Sequence, residues 1–460
     1  TGKQGPRSYW SARAAAEAGL ADAWTGTAEG AVAALEQQLH AIIGQQMVAD
    51  VPIGAFLSGG IDSSTVVALM QAQSSRPIQT FAVGFAESSF NEAGYAKAVA
   101  RHLGTDHSEL YVSSEDVLGV IPRLPQVYDE PFADPSQIPM LLASQMARRQ
   151  AAVVLSGDGG DELFAGYNRY LWTNKLWAQR HATPRLLRLV AAAVLAAVPA
   201  ARLDRLFSRL QRLLPIAVLQ QPNLGSKLHK LAAALRTENV TELYRMLVSY
   251  WQEPSRLVPG AAEPLIDIRA DNTLAGAKTL IDDLMYWDLI GYLPGDGLVK
   301  VDRAAMSVGL EVRLPLLDQR LVEFAWRIPA DLKLRQGQGK WLLRQVAYRH
   351  IPAEMLERPK MGFSPPIANW LRGPLREWGE ELLAAERLAD QGLLEPGIIR
   401  ECWQAHQAGY RDAALPLWSV LMFQAWYDEQ QQRSSPILAG WIESGDKRAE
   451  FAGDGATPPS

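Results

Sequence analysis

Short apolar runs alternate with helical patterns over the first third of the chain. The apolar runs that predict strands are Val51–Leu57, Ile78–Gly84, His107–Val112 and Ala151–Leu155, and helical spacing covers Asn91–Leu103, Ser114–Val127 and Ser136–Arg149. Strands that alternate with helices are typical of a doubly wound parallel sheet. After Tyr170 the strand patterns disappear, and apolar residues recur at helical spacing to about residue 430. The pattern therefore predicts an α/β fold, a doubly wound parallel sheet, followed by an α-helical region.

These patterns divide the chain into four parts. We expect a linker or N-terminal extension at 1–30, an α/β domain at 31–170, a helical region at 171–435 that closes the site, and a tail at 436–460. The tail is rich in Gly, Asp, Pro and Ser towards its end, a composition that predicts disorder.

The turn after the first predicted strand is the most informative segment, and it reads Ser58-Gly59-Gly60-Ile61-Asp62-Ser63-Ser64. Its glycines let the backbone approach a phosphate closely, and the following helix presents free N–H groups at its first turn. Asp62 would repel a bare polyphosphate, so we interpret it as a magnesium ligand that meets phosphate through the cation. The alternative is an ordinary turn in which Asp62 caps the helix. The turn lacks the lysine of a Walker-type loop.

A second turn, Ser156-Gly157-Asp158-Gly159-Gly160-Asp161-Glu162, repeats this design after the fourth predicted strand. Three carboxylates within five residues are stable together if they share a cation, if one meets the ammonium of a substrate, or if they point into solvent. In an open parallel sheet, loops that leave the carboxyl ends of neighbouring strands border one crevice. We therefore expect the two turns to form one site.

Composition excludes several other classes of protein. The chain has 460 residues, of which 48% are hydrophobic and 21% charged, a formal net charge of −5 and a pI near 5.9. Such a balance does not indicate a nucleic-acid binder, which needs a basic surface. The longest run without charge or strong polarity, Leu189–Ala201, is interrupted by Pro199 and is too short for a membrane helix. One cysteine, Cys402, fits a reducing compartment, and we expect a cytoplasmic protein.

Several motifs together resemble one family. The first turn alone is similar to the pyrophosphate-binding loop of the ATP pyrophosphatase superfamily. The segments SGGIDSS, SFNEAGYAKAVARHLGTDH, YDEPFADPS, LSGDGGDELFAGYNRY, DGLVKVDRAAMSVGLEVRLPLLD and RPKMGF follow in the order and spacing of glutamine-hydrolysing asparagine synthetases. The resemblance is to their synthetase domain and covers roughly residues 9 to 430.

This resemblance implies an adenine-nucleotide α-hydrolase-like domain and a two-step reaction with ATP and Mg²⁺. The side-chain carboxylate of aspartate attacks the α-phosphorus of ATP, which gives β-aspartyl-AMP and pyrophosphate, and ammonia then displaces AMP. The implied pyrophosphate-binding residues are Ser58, Gly59, Gly60, Asp62 and Ser63, the further ATP-site residues are Leu57, Val83, Ser156 and Gly157, and the magnesium ligands are Asp62 and Asp161. Asp158 matches the acidic residue that the family associates with formation of the acyl-adenylate.

Two lysines in the helical half are candidates to stabilise the charge that develops at phosphorus. Lys360 follows Arg358-Pro359 on a constrained turn and is our first choice, and Lys340 of Gly339-Lys340-Trp341 is our second. A solvated surface lysine is the alternative for each.

Two aspartates are candidates for contact with the acid substrate. Asp296 lies in a charged run of an otherwise apolar region and could meet a substrate amino group, whereas ion pairing alone would also explain it. Asp129, Glu130 and Asp134 of the DEPFADPS loop could also contact substrate, and Asp129 is our choice among them, whereas a rigid connection fixed by prolines explains the loop nearly as well.

The chain departs from the family's full-length pattern at its beginning. Family members begin with a glutaminase domain whose nucleophile is the first cysteine, and these 460 residues contain neither. We expect ammonia to be free or to come from a glutaminase domain outside this sequence or on a partner, and the pattern is compatible with a homodimer. Two alternatives remain open: AMP-forming amidation or ring closure of another acid, such as a sugar acid, β-lactam or peptide, and a non-catalytic nucleotide-binding or assembly protein.

Overall fold

The computed structural model describes residues 8–85, 93–198, 224–262, 268, 273–357 and 365–449. Its sheet has five parallel strands, which are β1 Ile53–Phe56, β2 Gln79–Phe85, β3 Asp106–Val112, β4 Val153–Leu155 and β5 Glu311–Arg313. Their order across the sheet is β3-β2-β1-β4-β5, which confirms the predicted α/β class and its parallel sheet. The chain adds β2 and β3 on one side of β1, and then β4 and β5 on its other side. The strand order therefore reverses between β1 and β4, and in such sheets a ligand binds in the crevice at the carboxyl ends of these two strands.

Helices form most of the described chain outside the sheet. Those of the first half are Ala12–Ala21, Ala28–Gln46, Ile61–Ala72, Ala93–Leu103, Ser114–Val120, Leu124–Tyr128, Gln137–Arg148, Gly160–Leu163, Asn168–Ala182 and Arg185–Ala197. Those of the second half are Leu224–Arg236, Val240–Val248, Pro254–Leu257, Leu280–Trp287, the π-helix Asp288–Gly297, Leu298–Met306, Gln319–Arg327, Ala330–Lys333, Trp341–Ala347, Ala353–Leu356, Ile367–Arg372, Arg376–Leu382, Ala385–Gln391, Pro396–Gln407 and Ala414–Ala449.

The strand β5 was not predicted, so the expectation that strands end at Tyr170 is wrong. β5 has three residues and pairs with β4 at the edge of the sheet. Its first and last residues, Glu311 and Arg313, are charged. Arg313 Nε donates to Glu311 Oε1 at 2.7 Å, and Arg313 Nη1 donates to the carbonyl of Gln46 at 2.6 Å. A three-residue edge strand with two charged side chains has no apolar alternation that sequence analysis could detect.

Helix bounds differ from the prediction where prolines lie. The segment predicted as one helix over Ser114–Val127 is divided by a 3₁₀ turn, Ile121–Arg123, because Pro122 and Pro125 lack the N–H that a continuous helix needs. The predicted N-terminal extension contains the helix Ala12–Ala21, which packs closely on Gln319–Arg327. The backbone of the last helix continues to Ala449, into the predicted tail, and residues 450–460 lie outside those described. The proposed domain boundaries stay predictions.

A buried ionic network joins the helix Asn168–Ala182 to the helices Val240–Val248 and Asp288–Gly297. Asp288 is 1% exposed and accepts hydrogen bonds from the hydroxyls of Tyr170 and Tyr244 and from Arg169 Nη2, the last at 2.6 Å. The Arg169 guanidinium also lies 3.6 Å from the centre of the Tyr167 ring. Because every member is paired, the charges are tolerated in the interior.

We expect Asp288→Ala to lower the free energy of unfolding by about 3–5 kcal/mol, since it leaves the Arg169 charge buried without its carboxylate. Urea unfolding followed by circular dichroism measures this change. Asp302→Asn is the matched control because the Asp302 side chain is 63% exposed and should change stability by less than about 0.5 kcal/mol. Equal effects of the two substitutions would contradict the assignment of Asp288 to a buried network.

Candidate functional site

A cavity of about 440 Å³ lies at the carboxyl ends of β1 and β4. Its lining includes the turn after β1, the turn after β4, the residues around Lys340, and the helical face from Tyr292 to Val301. The two turns that the sequence singled out therefore share one site, as the strand order requires.

The turn after β1 is held by its own serines. Ser63 Oγ accepts a hydrogen bond from the backbone N–H of Ser58 at 3.1 Å and lies 3.0 Å from Ser58 Oγ. Gly59 has φ +72°, and a Cβ there would lie 2.7 Å from the backbone nitrogen of Ala96. The helix Ile61–Ala72 starts directly after Gly60, which has no side chain to cap it. The cavity therefore faces a helix N-terminus, whose N–H groups and positive dipole end favour an anion.

The turn after β4 packs directly against the first turn. A Cβ on Gly157 would lie 2.6 Å from the backbone nitrogen of Ser63, and one on Gly160 would lie 2.5 Å from Asp62 Oδ1. Asp158, which lines the cavity, accepts a hydrogen bond from Ser156 Oγ at 2.6 Å. Glycine is thus required at these two positions by the close approach of the two turns.

Lys340 connects both turns. Its Nζ contacts Asp62 Oδ2 and lies 2.8 Å from Asp161 Oδ1, while its backbone N–H donates to the carbonyl of Phe164 at 2.8 Å. The residue is 5% exposed and has φ +58°, at the start of the helix Trp341–Ala347. Burial lowers the pKa of Lys340, but the carboxylates of Asp161 and Asp62 outweigh it, so the net pKa is raised and the lysine is charged.

The donor set of these turns fits a magnesium ion. Asp62 and Asp161 converge on one cation, the Lys340 ammonium, and their combined charge with Lys340 is negative. Among the described residues no group of three or more His, Cys, Asp or Glu could hold a metal. Two carboxylates with phosphate oxygens and water are, however, the usual surroundings of Mg²⁺ in nucleotide sites.

A second charged cluster, formed by Asp134, Asp296 and Lys300, reaches the cavity through Lys300. Lys300 lines the cavity, and its Nζ lies 3.0 Å from Asp134 Oδ2. Burial and then the charge of Asp134 raise the pKa of Asp296 to about 7, against the opposing effect of Lys300. The Tyr128 hydroxyl donates to the Lys300 carbonyl at 3.2 Å and fixes this part of the helix.

Most of the residues that sequence analysis selected lie together. Those lining the cavity are Leu57, Ser58, Gly60, Asp62, Ser63, Val83, Ser156, Gly157, Asp158, Asp161 and Lys340. Gly59 lies in the first turn, against the backbone of Ala96. Asp296 belongs to the second cluster. Asp129 lies away from the cavity, in a separate depression where it faces Arg303 at 3.7 Å. Lys360 lies outside the described residues.

Comparison with known proteins identifies the family. The asparagine synthase family model matches residues 34–428. The chain belongs to the asparagine synthase family.

Individual relatives agree with this assignment. The chain is 31% identical over 382 residues to glutamine-hydrolysing asparagine synthetase 1 of Bacillus subtilis strain 168. The matched residues are 83% of this chain and 56% of the relative. It is 32% identical over 386 residues to a putative glutamine-hydrolysing asparagine synthetase of Mycobacterium tuberculosis strain H37Rv, with 84% and 56% covered. A putative asparagine synthetase 2 of Methanocaldococcus jannaschii is 43% identical over 148 residues, 32% of this chain and 28% of the relative. The chain thus spans about half the length of the first two relatives.

Sequence analysis did not select several polar residues that line the cavity of this family member, among them Glu162, Tyr167 and Arg344. The Tyr167 hydroxyl donates to Glu162 Oε1 at 2.8 Å. Burial and the nearby charge of Asp161 raise the pKa of Glu162 to about 7. Glu162 follows Asp161 directly, so its place in the second acidic turn was a signal that could have selected it.

No helix in the described ranges is both long enough and apolar enough to cross a bilayer.

We expect Gly157→Ala to weaken nucleotide binding at least about tenfold, because the added methyl would force the second turn away from the Ser63 backbone. Titration with a fluorescent ATP analogue measures the effect. Gly119→Ala is the control, since no atom lies within 4 Å of its added Cβ and alanine favours the helix Ser114–Val120. If Gly157→Ala bound the analogue as tightly as Gly119→Ala, the close contact would have no role in the site.

Proposed function

We propose that this chain synthesises an amide from a carboxylic acid, ATP and ammonia through an acyl-adenylate, and that the acid is L-aspartate. The products are then asparagine, AMP and pyrophosphate. One observation carries the proposal: two acidic, glycine-bearing turns at neighbouring strand ends converge on a single cation position, with Asp158 in the same cavity. The names of the relatives, asparagine synthetases, support aspartate as the acid.

The two turns would hold the phosphates of ATP. Ser58, Gly60 and Ser63 line the cavity beside the uncapped N-terminus of the helix Ile61–Ala72, which offers backbone N–H donors to a pyrophosphate. A bound Mg²⁺, held by Asp62 and Asp161, would supply the positive charge that offsets the departing pyrophosphate. Lys340 would keep both carboxylates directed towards that position.

The acid would react from the side of the cavity that carries Asp158. A carboxylate oxygen attacks the α-phosphorus, the bond to the pyrophosphate oxygen breaks, and ammonia then attacks the acyl carbon and expels AMP. The ammonium formed at that carbon must lose a proton, and the Asp158 carboxylate is suited to accept it. Lys340 and Lys360 would stabilise the negative charge that develops at phosphorus. The role of Lys360 rests on its sequence context alone.

The ammonia would come from outside these residues. The relatives are named glutamine-hydrolysing, and about half of their length has no counterpart in this chain. We therefore infer that glutamine hydrolysis belongs to a separate domain or partner, and that the synthetase step can be assayed with ammonium chloride.

The first test is pyrophosphate release from ATP, Mg²⁺ and ammonium chloride, with L-aspartate, without acid, and with a panel of uronic and amino acids. We expect release that depends on aspartate, with asparagine formed in equal amount. Asp158→Asn should keep ATP binding and lower the rate of asparagine formation by about 10²–10³-fold, the size expected for loss of a positioned acid–base group. Release with another acid but not with aspartate would show that this other acid is the substrate. No release with any acid would contradict the proposed activity.

A second test concerns the cation position. We expect Lys340→Met to bind Mn²⁺ more tightly than the unaltered protein when no nucleotide is present, because two converging carboxylates lose the ammonium that they share. Electron paramagnetic resonance of free Mn²⁺ measures the change. The double variant with Asp62→Asn is the control and should lose the gain. Unchanged Mn²⁺ affinity in Lys340→Met would contradict a shared cation position.

A further inference from the structure

The helix Arg185–Ala197 turns large apolar side chains outwards. Their exposed fractions are 72% for Leu186, 60% for Leu187, 53% for Val190 and 61% for Val194. Spacings of three and four residues place these side chains on one side of the helix, and we call them the apolar face. A helix at the surface of a soluble domain normally directs its polar side outwards, so this face is suited to an apolar surrounding.

The opposite side of the same helix packs on the protein and contains an arginine. Arg188 and Ala192, one turn apart, are 8% and 0% exposed. Arg188 Nη1 donates to the carbonyl of Leu235 at 3.3 Å, and the helix that carries Leu235, Leu224–Arg236, packs against Arg185–Ala197. The fold therefore buries an arginine of this helix and leaves its leucines and valines exposed.

The helices that surround the apolar face have an excess of positive charge. They are Asn168–Ala182, Arg185–Ala197, Leu224–Arg236 and Val240–Val248, and we call them the basic layer. These four helices contain nine Lys and Arg residues and one acidic residue, whereas the whole chain has a formal net charge of −5. The exposed cations among them are Lys175, Arg185, Lys230 and Arg236. The layer thus presents a positive surface on an acidic protein.

The arginines at the start of the apolar helix are not neutralised by their neighbours. Arg185 Nη2 lies 2.6 Å from Glu238 Oε1. Burial and then the charge of Arg188 lower the pKa of Arg180, although Glu238 and Glu242 oppose this effect. The Nε atoms of Arg180 and Arg188 are buried and have no hydrogen-bond partner among the described residues. Three guanidinium groups therefore face two carboxylates, which leaves positive charge for an external anion.

An exposed apolar face within a basic layer matches the surface of an anionic bilayer. We propose that the apolar face and the basic layer dock this protein on an anionic lipid membrane. The helix has 13 residues, fewer than the roughly 20 that cross the hydrocarbon, so it lies along the surface. Its leucines and valines enter the boundary between head groups and acyl chains, and the cations of the layer meet lipid phosphates.

Two other occupants account for less of this surface. A nucleic acid would use the cations, but its backbone gives no reason for an exposed row of leucines and valines. A second copy in a two-fold contact would place the same excess of positive charge on both sides of the interface. The anionic bilayer uses both properties. Docking is also independent of the proposed activity, because the described cavity lining includes no residue of the helix Arg185–Ala197.

The test is co-sedimentation of the full chain with sucrose-loaded vesicles, made of phosphatidylcholine alone or with about 30% phosphatidylglycerol. We expect the partition coefficient to be at least about tenfold higher for the anionic vesicles, because each cation near such a surface adds attraction. Raising NaCl from about 50 to about 500 mM should remove most of this difference, since salt screens the charges.

A double variant, Leu187→Gln with Val190→Gln, tests the apolar face. It should lower the partition coefficient for anionic vesicles at least about tenfold, because two apolar side chains no longer enter the lipid. The matched control is Leu118→Gln with Leu415→Gln. These leucines are 45% and 40% exposed on other helices, and the control should bind vesicles like the unaltered protein.

Binding that requires both phosphatidylglycerol and the apolar face supports the proposal. Absence of binding to anionic vesicles overturns it, as does equal binding to both vesicle types or by both double variants. Urea unfolding at lower concentration for the Leu187/Val190 variant than for the control would show that the protein itself covers the face. Sedimentation equilibrium that finds a dimer of the unaltered protein, absent in this variant, would place a second copy there. Binding of duplex DNA in place of vesicles would assign the cations to a nucleic acid, and each of these three results overturns membrane docking.

Discussion

The ammonium of Lys340 is the interaction on which the site depends. It contacts Asp62 in the turn after β1 and Asp161 in the turn after β4, so it joins segments that lie far apart in sequence. Taking three charges out of water is unfavourable unless each is paired, and the pairing here fixes both turns relative to each other. The left-handed backbone of Lys340 is part of the same constraint, because its N–H donates to Phe164 directly after the second turn. A nucleotide that binds here meets a site already organised by a cation.

Local sequence patterns predicted this half of the site well. An apolar strand, a glycine turn and a helix start are contained within about a dozen residues, so both turns and the strands before them could be located before the structure was known. Parallel strands then require the turns to share an edge. β5 was missed because three residues carry no periodic signal, and its place beside β4 depends on pairing across the sheet.

Interactions between distant segments could not be predicted in this way. Lys300 and Asp134 are 166 positions apart, and no local pattern relates them. Asp129, Glu130 and Asp134 lie in one loop that sequence analysis gave as a possible contact of the substrate, and Asp129 was selected among them. The positive φ of Asp129 accompanies a turn that carries it to a separate depression, whereas Asp134 lies against Lys300. Which of these two aspartates, five residues apart, lies near Lys300 depends on the backbone conformation of the loop, and the amino-acid sequence of the loop does not predict that conformation.

The two lysines, Lys340 and Lys300, divide the cavity by charge. In the proposed reaction a carboxylate would approach a polyphosphate, and because both are anions the approach requires that neither is repelled by the other or by the acidic turns. Lys340 with Asp62 and Asp161 forms one electrostatic unit at the two glycine-bearing turns, and Lys300 with Asp134 and Asp296 forms a second. In each unit the carboxyl groups outnumber the ammonium, so each favours a ligand that brings positive charge.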